Sequence, residues 1–180
     1  MKYNLSLRVA LVALLSLILA SCEDPIDAST QWRITNESAF NEYSSKEEYQ
    51  KASIEGSSAY VYMKWLAHGE GKEYPIETSR FKCHYEMRLL VGDKVIDGNY
   101  GSERPATFAI NRGPKNQLVE GARIGLQQMV VGDEAEIIIP WYLAYGERRS
   151  GDINPYTALK FRVKLEEIIP EGQRSAVSHD

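Results

Sequence analysis

The sequence predicts an α+β fold in which an antiparallel sheet of several strands packs on one short helix. Stretches with alternating apolar and polar residues lie on both sides of one segment with helical apolar spacing, and glycine-containing turns separate them. With 180 residues, 43% hydrophobic and 26% charged, the chain has a globular composition and is long enough for one core. We therefore expect one folded domain with additional segments at its ends.

The first 22 residues are organised like an export signal. Two basic residues precede the apolar run Val9–Ala20, which is too short for a membrane-spanning helix but suits a signal peptide. The sequence LASC then ends at Cys22 and resembles the bacterial lipobox, whose cysteine is lipidated and becomes the mature N-terminus. This predicts a lipoprotein signal peptide over residues 1–21 and a lipid anchor in the membrane of a bacterial cell envelope. The alternative is an ordinary signal peptide cut near Ala20, with Cys22 an incidental thiol.

Residues 22–58 are predicted to form a tether and an N-terminal helical extension. The segment is polar and begins with acidic residues. Asn36 can cap a helix, and aromatic residues recur after it at loosely helical spacing, which predicts a helix from about Glu37 to Lys51. The aromatic residues of this helix would either dock on the domain or offer a surface to a partner; they are Phe40, Tyr43 and Tyr49.

From Ala59 onward the sequence alternates as strands do. The predicted strands lie, in order, in AYVYMKWLA, SRFKCHYEMRLL, PATFAINRG, EAEIIIP and ALKFRVKLEEI. The segment QLVEGARIGLQQMVVGDEA instead has helical apolar spacing and a stop at Gly132. Cys83 shares one face of its strand with Phe81, Tyr85 and Met87, so a small buried apolar role is the simplest account of it.

Charge and residue usage exclude some functions. A net charge of -4 and a pI near 5.5 argue against binding to nucleic acid, which normally requires a basic face. The three histidines, His68, His84 and His179, are scattered, and the cysteines are not grouped with them at metal-ligand spacing. We expect neither a metal nor a cofactor.

The stretch GLQQMVVGDEAEIIIPWYLAYGERRSGDINPYTALKFRVKLEEI resembles the C-terminal signature of the FKBP-type peptidyl-prolyl cis-trans isomerases. The matches are a Met-x-x-Gly turn, a strand ending in Ile-Pro, Ala-Tyr-Gly, a loop closing in Ile-x-Pro, and Leu-x-Phe-x-Val-x-Leu. The resemblance covers about residues 59–169 and leaves residues 170–180 as a disordered tail. It implies a strongly bent antiparallel sheet wrapped around one short helix, an FKBP-like fold. The implied reaction is isomerisation of Xaa-Pro bonds, with proline-containing, exported polypeptides as substrates.

Site residues follow from the resemblance by motif position. It implies that Tyr85 forms an aromatic wall, that Asp97 stands at the family's Phe-Asp position, and that Tyr145 donates its hydroxyl to a substrate carbonyl. The implied substrate-binding positions are Ile96, Phe108, Leu118, Val119, Ala122, Ile153 and Phe161. Among these, Val119 would offer its backbone N–H to a second carbonyl. Ordinary core positions remain the alternative for Leu118, Phe108 and Phe161, and a turn cap with Gly98 remains the alternative for Asp97.

The chain departs from the family pattern at the pocket floor. Gly121 is followed by Ala122, where the family usually has a tryptophan whose indole supports the prolyl ring. Ile96 also replaces an aromatic residue, and the loop between Tyr145 and Ile153 is one residue shorter than usual. Losing an indole removes roughly 150–250 Å² of contact area, so either a neighbour fills the space or activity is weak. Two functions stay open: a lipid-anchored isomerase, or a catalytically weak or inactive FKBP-like binding or chaperone module.

Overall fold

The computed structural model of the protein describes residues 27–110 and 118–170. The predictions for the signal peptide, for Cys22 and for residues 171–180 lie outside the described residues. Within the described part, the helices are α1, Ala28–Asn41, and α2, Glu120–Leu126. Neither of these two helices is long and apolar enough to cross a membrane.

Seven strands in the described residues form one antiparallel sheet. They are β1 Gln50–Ser53, β2 Tyr60–Ala67, β3 Arg80–Leu89, β4 Val95–Gly98, β5 Ala106–Ala109, β6 Glu134–Ile139 and β7 Leu159–Ile169. Their order is β1-β2-β6-β7-β3-β4, and β5 pairs with the first half of β3. The five strands predicted from alternation are thereby confirmed, because the apolar face of each meets the core. The two short strands β1 and β4 were not predicted, because β1 begins inside the segment predicted to be helical and the sequence VIDG of β4 shows no alternation of apolar and polar residues.

Helix α2 packs tightly on β6 because glycines face the strand. A Cβ atom at Gly121 would lie 2.3 Å from Cγ2 of Ile139, and one at Gly125 would lie 2.4 Å from Cδ1 of Ile137. Larger side chains at these two positions would push the helix away from the sheet. The glycines therefore fix the start of α2, where Val119 precedes the first helical residue, against the sheet.

The N-terminal helix differs from its prediction at both ends. Helix α1 begins after Asp27, whose side chain accepts hydrogen bonds from the N–H groups of Ser29 and Thr30 at 2.9 and 3.0 Å. Asn36 is not the cap but a fully buried residue inside the helix. Lys51 lies in β1, which pairs with β2. An N-terminal helix is confirmed, but the predicted bounds Glu37–Lys51 were wrong, because the stronger cap stands earlier and because pairing with β2 outweighs weak helical spacing.

Docking of the extension on the domain is confirmed at Phe40. Its ring lies on the sheet face opposite α2, with ring centroids 5.8 Å from Tyr60 and 5.0 Å from Tyr62. Ile138 completes this second, smaller core. Phe40 is only 3% exposed, so it is part of the fold rather than a free surface for a partner.

Cys83 has the buried role that its strand position predicts. It lies in the main core on β3 beside Phe81 and is 1% exposed. Burial raises the pKa of its thiol to about 12. The thiol is therefore protonated at neutral pH and buried, which makes it a packing group rather than a nucleophile.

Candidate functional site

The aromatic segment after β6 opens a long loop that returns the chain to β7. We call residues 141–158 the 141–158 loop; it starts with a 3-10 turn at Trp141–Leu143. Its base is closed by a hydrogen bond from the Tyr156 N–H to the Gly146 carbonyl, 2.8 Å long. Near its tip, Ser150 and Ile153 exchange two backbone hydrogen bonds of 2.9 and 3.0 Å. Tyr145 and Ile153, both predicted site residues, are thus held on one closed loop.

Two clefts flank Tyr145. The larger has a volume of about 680 Å³ and lies between the start of α2 and the 141–158 loop, with Leu118, Val119 and Tyr145 in its wall. The smaller, of about 320 Å³, lies between β4 and the tip of the loop and is lined by Ile96, Asp97, Tyr145 and Ile153. Tyr145 and Ser150 line both clefts. The structure therefore brings five other predicted site residues around Tyr145.

Tyr85 and Asp97 are in contact although they stand twelve positions apart in the sequence. The hydroxyl of Tyr85 donates to Oδ2 of Asp97 at 2.8 Å, because β3 and β4 pair with Met87 opposite Asp97. Asn99 secures this end of the pair: its Oδ1 accepts the Tyr85 N–H at 2.8 Å, and its own N–H donates to the Tyr85 carbonyl at 2.9 Å. Asp97 also accepts the Gly98 N–H at 2.8 Å, so it both caps the turn and holds Tyr85.

Two phenylalanine rings pack against the ring of Tyr85. Its ring centroid lies 5.3 Å from that of Phe108, nearly edge to face, and 5.5 Å from that of Phe161. Phe161 is 4% exposed and stands on β7 opposite Met87 on β3. Neither phenylalanine lines the two clefts: Phe161 belongs to the main core, Phe108 is partly buried and packs against that core, and both rings contact Tyr85.

The hydroxyl of Tyr145 is a donor without a partner among the described residues. The side chain is half-buried, and its hydroxyl hydrogen-bonds to no atom of residues 27–110 or 118–170. Burial, and then the nearby charge of Asp97, raise the pKa of Tyr145. Burial and the hydrogen bond to Asp97 likewise raise the pKa of Tyr85. Both hydroxyls are protonated at neutral pH, and that of Tyr145 is available to a ligand in either cleft.

Ala122 does not lie where the family pattern puts an open pocket floor. The residue is 1% exposed inside the main core and lines neither cleft. Protein atoms therefore already cover its methyl group. Of the two alternatives raised by the sequence, refilling of the space agrees with this burial.

Several residues near the clefts were not singled out from the sequence. Asn99 orients Tyr85, and its only signal is a position just after a strand. Ser150 lines both clefts, and Tyr142, 51% exposed, lines the larger one. The neighbouring charges of Arg148 and Arg149 rim the larger cleft. These positions depend on how the loop folds back, which no periodicity reports.

The described residues do not gather metal ligands. Across residues 27–110 and 118–170 no group of three or more His, Cys, Asp or Glu side chains is placed to hold a metal ion. What the clefts offer is an apolar wall at Leu118, Val119 and Ile153 and a tyrosine hydroxyl between them. Such a surface suits a small apolar ring whose neighbouring carbonyl groups accept hydrogen bonds.

Comparison with known proteins agrees with this geometry. The chain is 34% identical over 125 residues to the FKBP-type 22 kDa peptidyl-prolyl cis-trans isomerase of Escherichia coli (strain K12), covering 69% of this chain and 57% of that protein. It is 35% identical over 124 residues to the probable FKBP-type peptidyl-prolyl cis-trans isomerase FkpA of Neisseria meningitidis, covering 68% and 43%. The chain thus spans about half the length of these relatives.

Solved structures and a family profile extend the comparison. A crystal structure of a peptidyl-prolyl cis-trans isomerase from Pseudomonas syringae superposes with a TM-score of 0.66 at 25% identity, over 80% of this chain and 98% of that one. The predicted FKBP-like fold is thereby confirmed. The sequence profile described as FKBP-type peptidyl-prolyl cis-trans isomerase matches residues 71–166, more than half of the chain. The chain therefore belongs to the FKBP-type peptidyl-prolyl cis-trans isomerase family.

Proposed function

We propose that the protein catalyses cis-trans isomerisation of Xaa-Pro bonds in polypeptides. Rotation about a peptide bond breaks amide resonance, with a barrier of roughly 18–20 kcal/mol. The twisted amide is less polar than the planar one, so an apolar cleft that excludes water favours the transition state over the ground state. The observation that carries the proposal is the half-buried hydroxyl of Tyr145, which has no hydrogen-bond partner in residues 27–110 and 118–170 and lies between two partly apolar clefts.

The proposed roles follow the geometry of the clefts. Tyr145 donates its hydroxyl to a substrate carbonyl, and the N–H of Val119, which donates to no described residue, takes a second carbonyl. Ile96, Ile153 and Leu118 contact the prolyl ring and its neighbours. Tyr85 lines neither cleft but supports the smaller one through its hydrogen bond to Asp97, with Phe108 and Phe161 packed against its ring. Ala122 contributes by packing rather than by touching substrate.

The isomerisation rate should not change between about pH 6 and about pH 9. The raised pKa values of Tyr85 and Tyr145 lie above the ordinary value of about 10, so both hydroxyls keep their protons throughout this range. The measurement is proline-exchange NMR on an Xaa-Pro peptide, which needs no coupled protease with a pH optimum of its own. A rate above the uncatalysed exchange that stays level with pH supports the proposal.

Two outcomes of that measurement would count against the proposal. Exchange no faster than in the peptide alone would remove the enzymatic function. A clear step in the rate within this pH range would show that a titrating group takes part in the reaction. The hydroxyl-donor mechanism would then be wrong.

We further propose that the protein is lipid-anchored through Cys22 in a bacterial envelope and acts on exported polypeptides. The support is the LASC sequence after an apolar run. Cells grown with labelled palmitate should transfer label to the wild-type protein and not to Cys22→Ala, whereas Cys83→Ala should be labelled normally. Equal labelling of wild type and Cys22→Ala, or no label in wild type, would favour an ordinary signal peptide.

A second candidate function is a binding or chaperone module with little catalysis. The observation that favours it is the residue type at position 122, because alanine stands where the family usually has an indole and neither cleft is lined by a tryptophan. Such a module would bind a proline-containing peptide in the same clefts and suppress aggregation of an unfolded protein without accelerating exchange. Binding measured by chemical-shift changes, beside unaccelerated exchange in the same sample, would identify it.

A further inference from the structure

Helix α1 contacts both ends of the 141–158 loop. At the end of the loop, the indole N–H of Trp32 donates to Oγ1 of Thr157 at 2.9 Å, and Oδ1 of Asn36 accepts the Ala158 N–H at 2.9 Å. At the start of the loop, the indole N–H of Trp141 donates to Oε1 of Glu37 at 3.0 Å. Three polar side chains of one helix thus bind the two points where the loop leaves and rejoins the sheet.

The hydrogen bond between Asn36 and Ala158 is fully buried. Asn36 and Ala158 are both 0% exposed, so the Ala158 N–H has no access to water and depends on the Asn36 amide. The same amide donates to the Trp32 carbonyl at 2.9 Å, which fixes its orientation. A buried side-chain amide with both ends satisfied holds its partner backbone in one position.

Thr157 connects helix α1 to the interior of the loop through hydrogen bonds. Its hydroxyl accepts from Trp32 and donates to the carbonyl of Asn154, 2.8 Å away and next to Ile153. Tyr156, between them, has a left-handed backbone with φ of 59°, which is unfavourable for a non-glycine residue unless its surroundings hold it. The ring of Trp141 packs against Tyr156 at 5.0 Å between centroids. The backbone beside Ile153 is therefore kept in place by groups that α1 binds.

We propose that α1 is a brace for the substrate-binding loop, with Trp32, Asn36 and Glu37 as positioning residues that hold Tyr145 and Ile153 ready for the peptide. The effect on catalysis rests on the proposed isomerase function; the brace itself does not. Phe40 packs the helix against β2 and β6 through apolar contacts. The polar contacts of α1 instead fix the loop, because their partners lie where the loop leaves and rejoins the sheet.

The test compares Thr157→Val with Thr157→Ser in the full chain. Valine removes the hydroxyl that joins Trp32 to Asn154, whereas serine keeps it. Trypsin under native conditions should cut after the exposed Arg148 and Arg149 about tenfold faster in Thr157→Val than in wild type or Thr157→Ser. Cleavage after the exposed Lys72, in a loop remote in sequence, is the internal control and should not change.

Steady-state kinetics of the same variants provide the second test. If the loop is competent in a smaller fraction of molecules, KM for an Xaa-Pro peptide should rise severalfold in Thr157→Val while kcat is kept, and Thr157→Ser should restore it. Equal cleavage of both variants, or equal acceleration after Lys72, would overturn the brace. Faster loop cleavage with unchanged KM in an active protein would overturn the positioning role. Were wild type itself inactive, the isomerase proposal would fail, and cleavage alone would decide the brace.

Discussion

Replacing Tyr145 by phenylalanine is expected to lower kcat/KM for an Xaa-Pro peptide by about two- to tenfold, because one neutral hydrogen bond contributes about 0.5–1.5 kcal/mol. The free energy of unfolding should stay within about 0.5 kcal/mol of wild type. The reason is that the hydroxyl has no partner among the described residues, so the free protein loses no described hydrogen bond. Exchange NMR and urea unfolding of the same preparations measure the two quantities.

Two further variants separate the role of Tyr145 from the general effect of removing a hydroxyl. Tyr74→Phe makes the same change at a residue that is exposed and lines neither cleft, and it should leave both quantities unchanged. Tyr85→Phe breaks the 2.8 Å bond to Asp97 and should reduce stability as well as activity. If Tyr145→Phe isomerises as fast as wild type, its hydroxyl does not bind the substrate and the proposed pocket is misassigned.

The fold was largely predictable because its longest strands carry a clear alternation. Alternation over eight to eleven residues in β2, β3 and β7 outweighs local exceptions. The short strand β1 and the start of α1 were not predictable in this way. β1 exists because Ala52 pairs with Val61 in the neighbouring strand, and α1 starts at a carboxylate, Asp27, in a stretch that resembles a tether.

Motifs in the sequence were enough to name candidate site residues, but they did not predict how these residues are arranged. Ala-Tyr-Gly located Tyr145, yet the contact of Tyr85 with Asp97 depends on the register of β3 and β4. Asn99 and Asn36 belong to a kind of residue that sequence reasoning misses: single amides that satisfy a backbone N–H far along the chain. Trp141, conspicuous in the sequence beside the site, contacts Glu37 of α1. Its neighbours along the chain do not reveal that partner.

Restoring the family's usual tryptophan with Ala122→Trp is expected to destabilise the protein by about 1–3 kcal/mol or more and not to raise kcat/KM. Ala122 is 1% exposed. The glycine before it packs so closely on Ile139 that a Cβ atom there would clash with the Ile139 side chain. Because the methyl group of Ala122 is shielded from solvent inside the main core, we expect an indole there to displace core side chains or to shift α2 together with Val119. Urea unfolding and exchange NMR report the two effects.

Substitutions of different size at residue 122 distinguish the two proposed functions. Ala122→Val should fall between wild type and Ala122→Trp in stability, as overpacking requires, whereas Glu120→Trp, at an exposed position of the same helix, should cost little. Stability that is kept, together with faster isomerisation in Ala122→Trp, would mean that the methyl group faces an open floor. The wild-type protein would then be an isomerase weakened at one residue, and its clefts would serve binding more than catalysis.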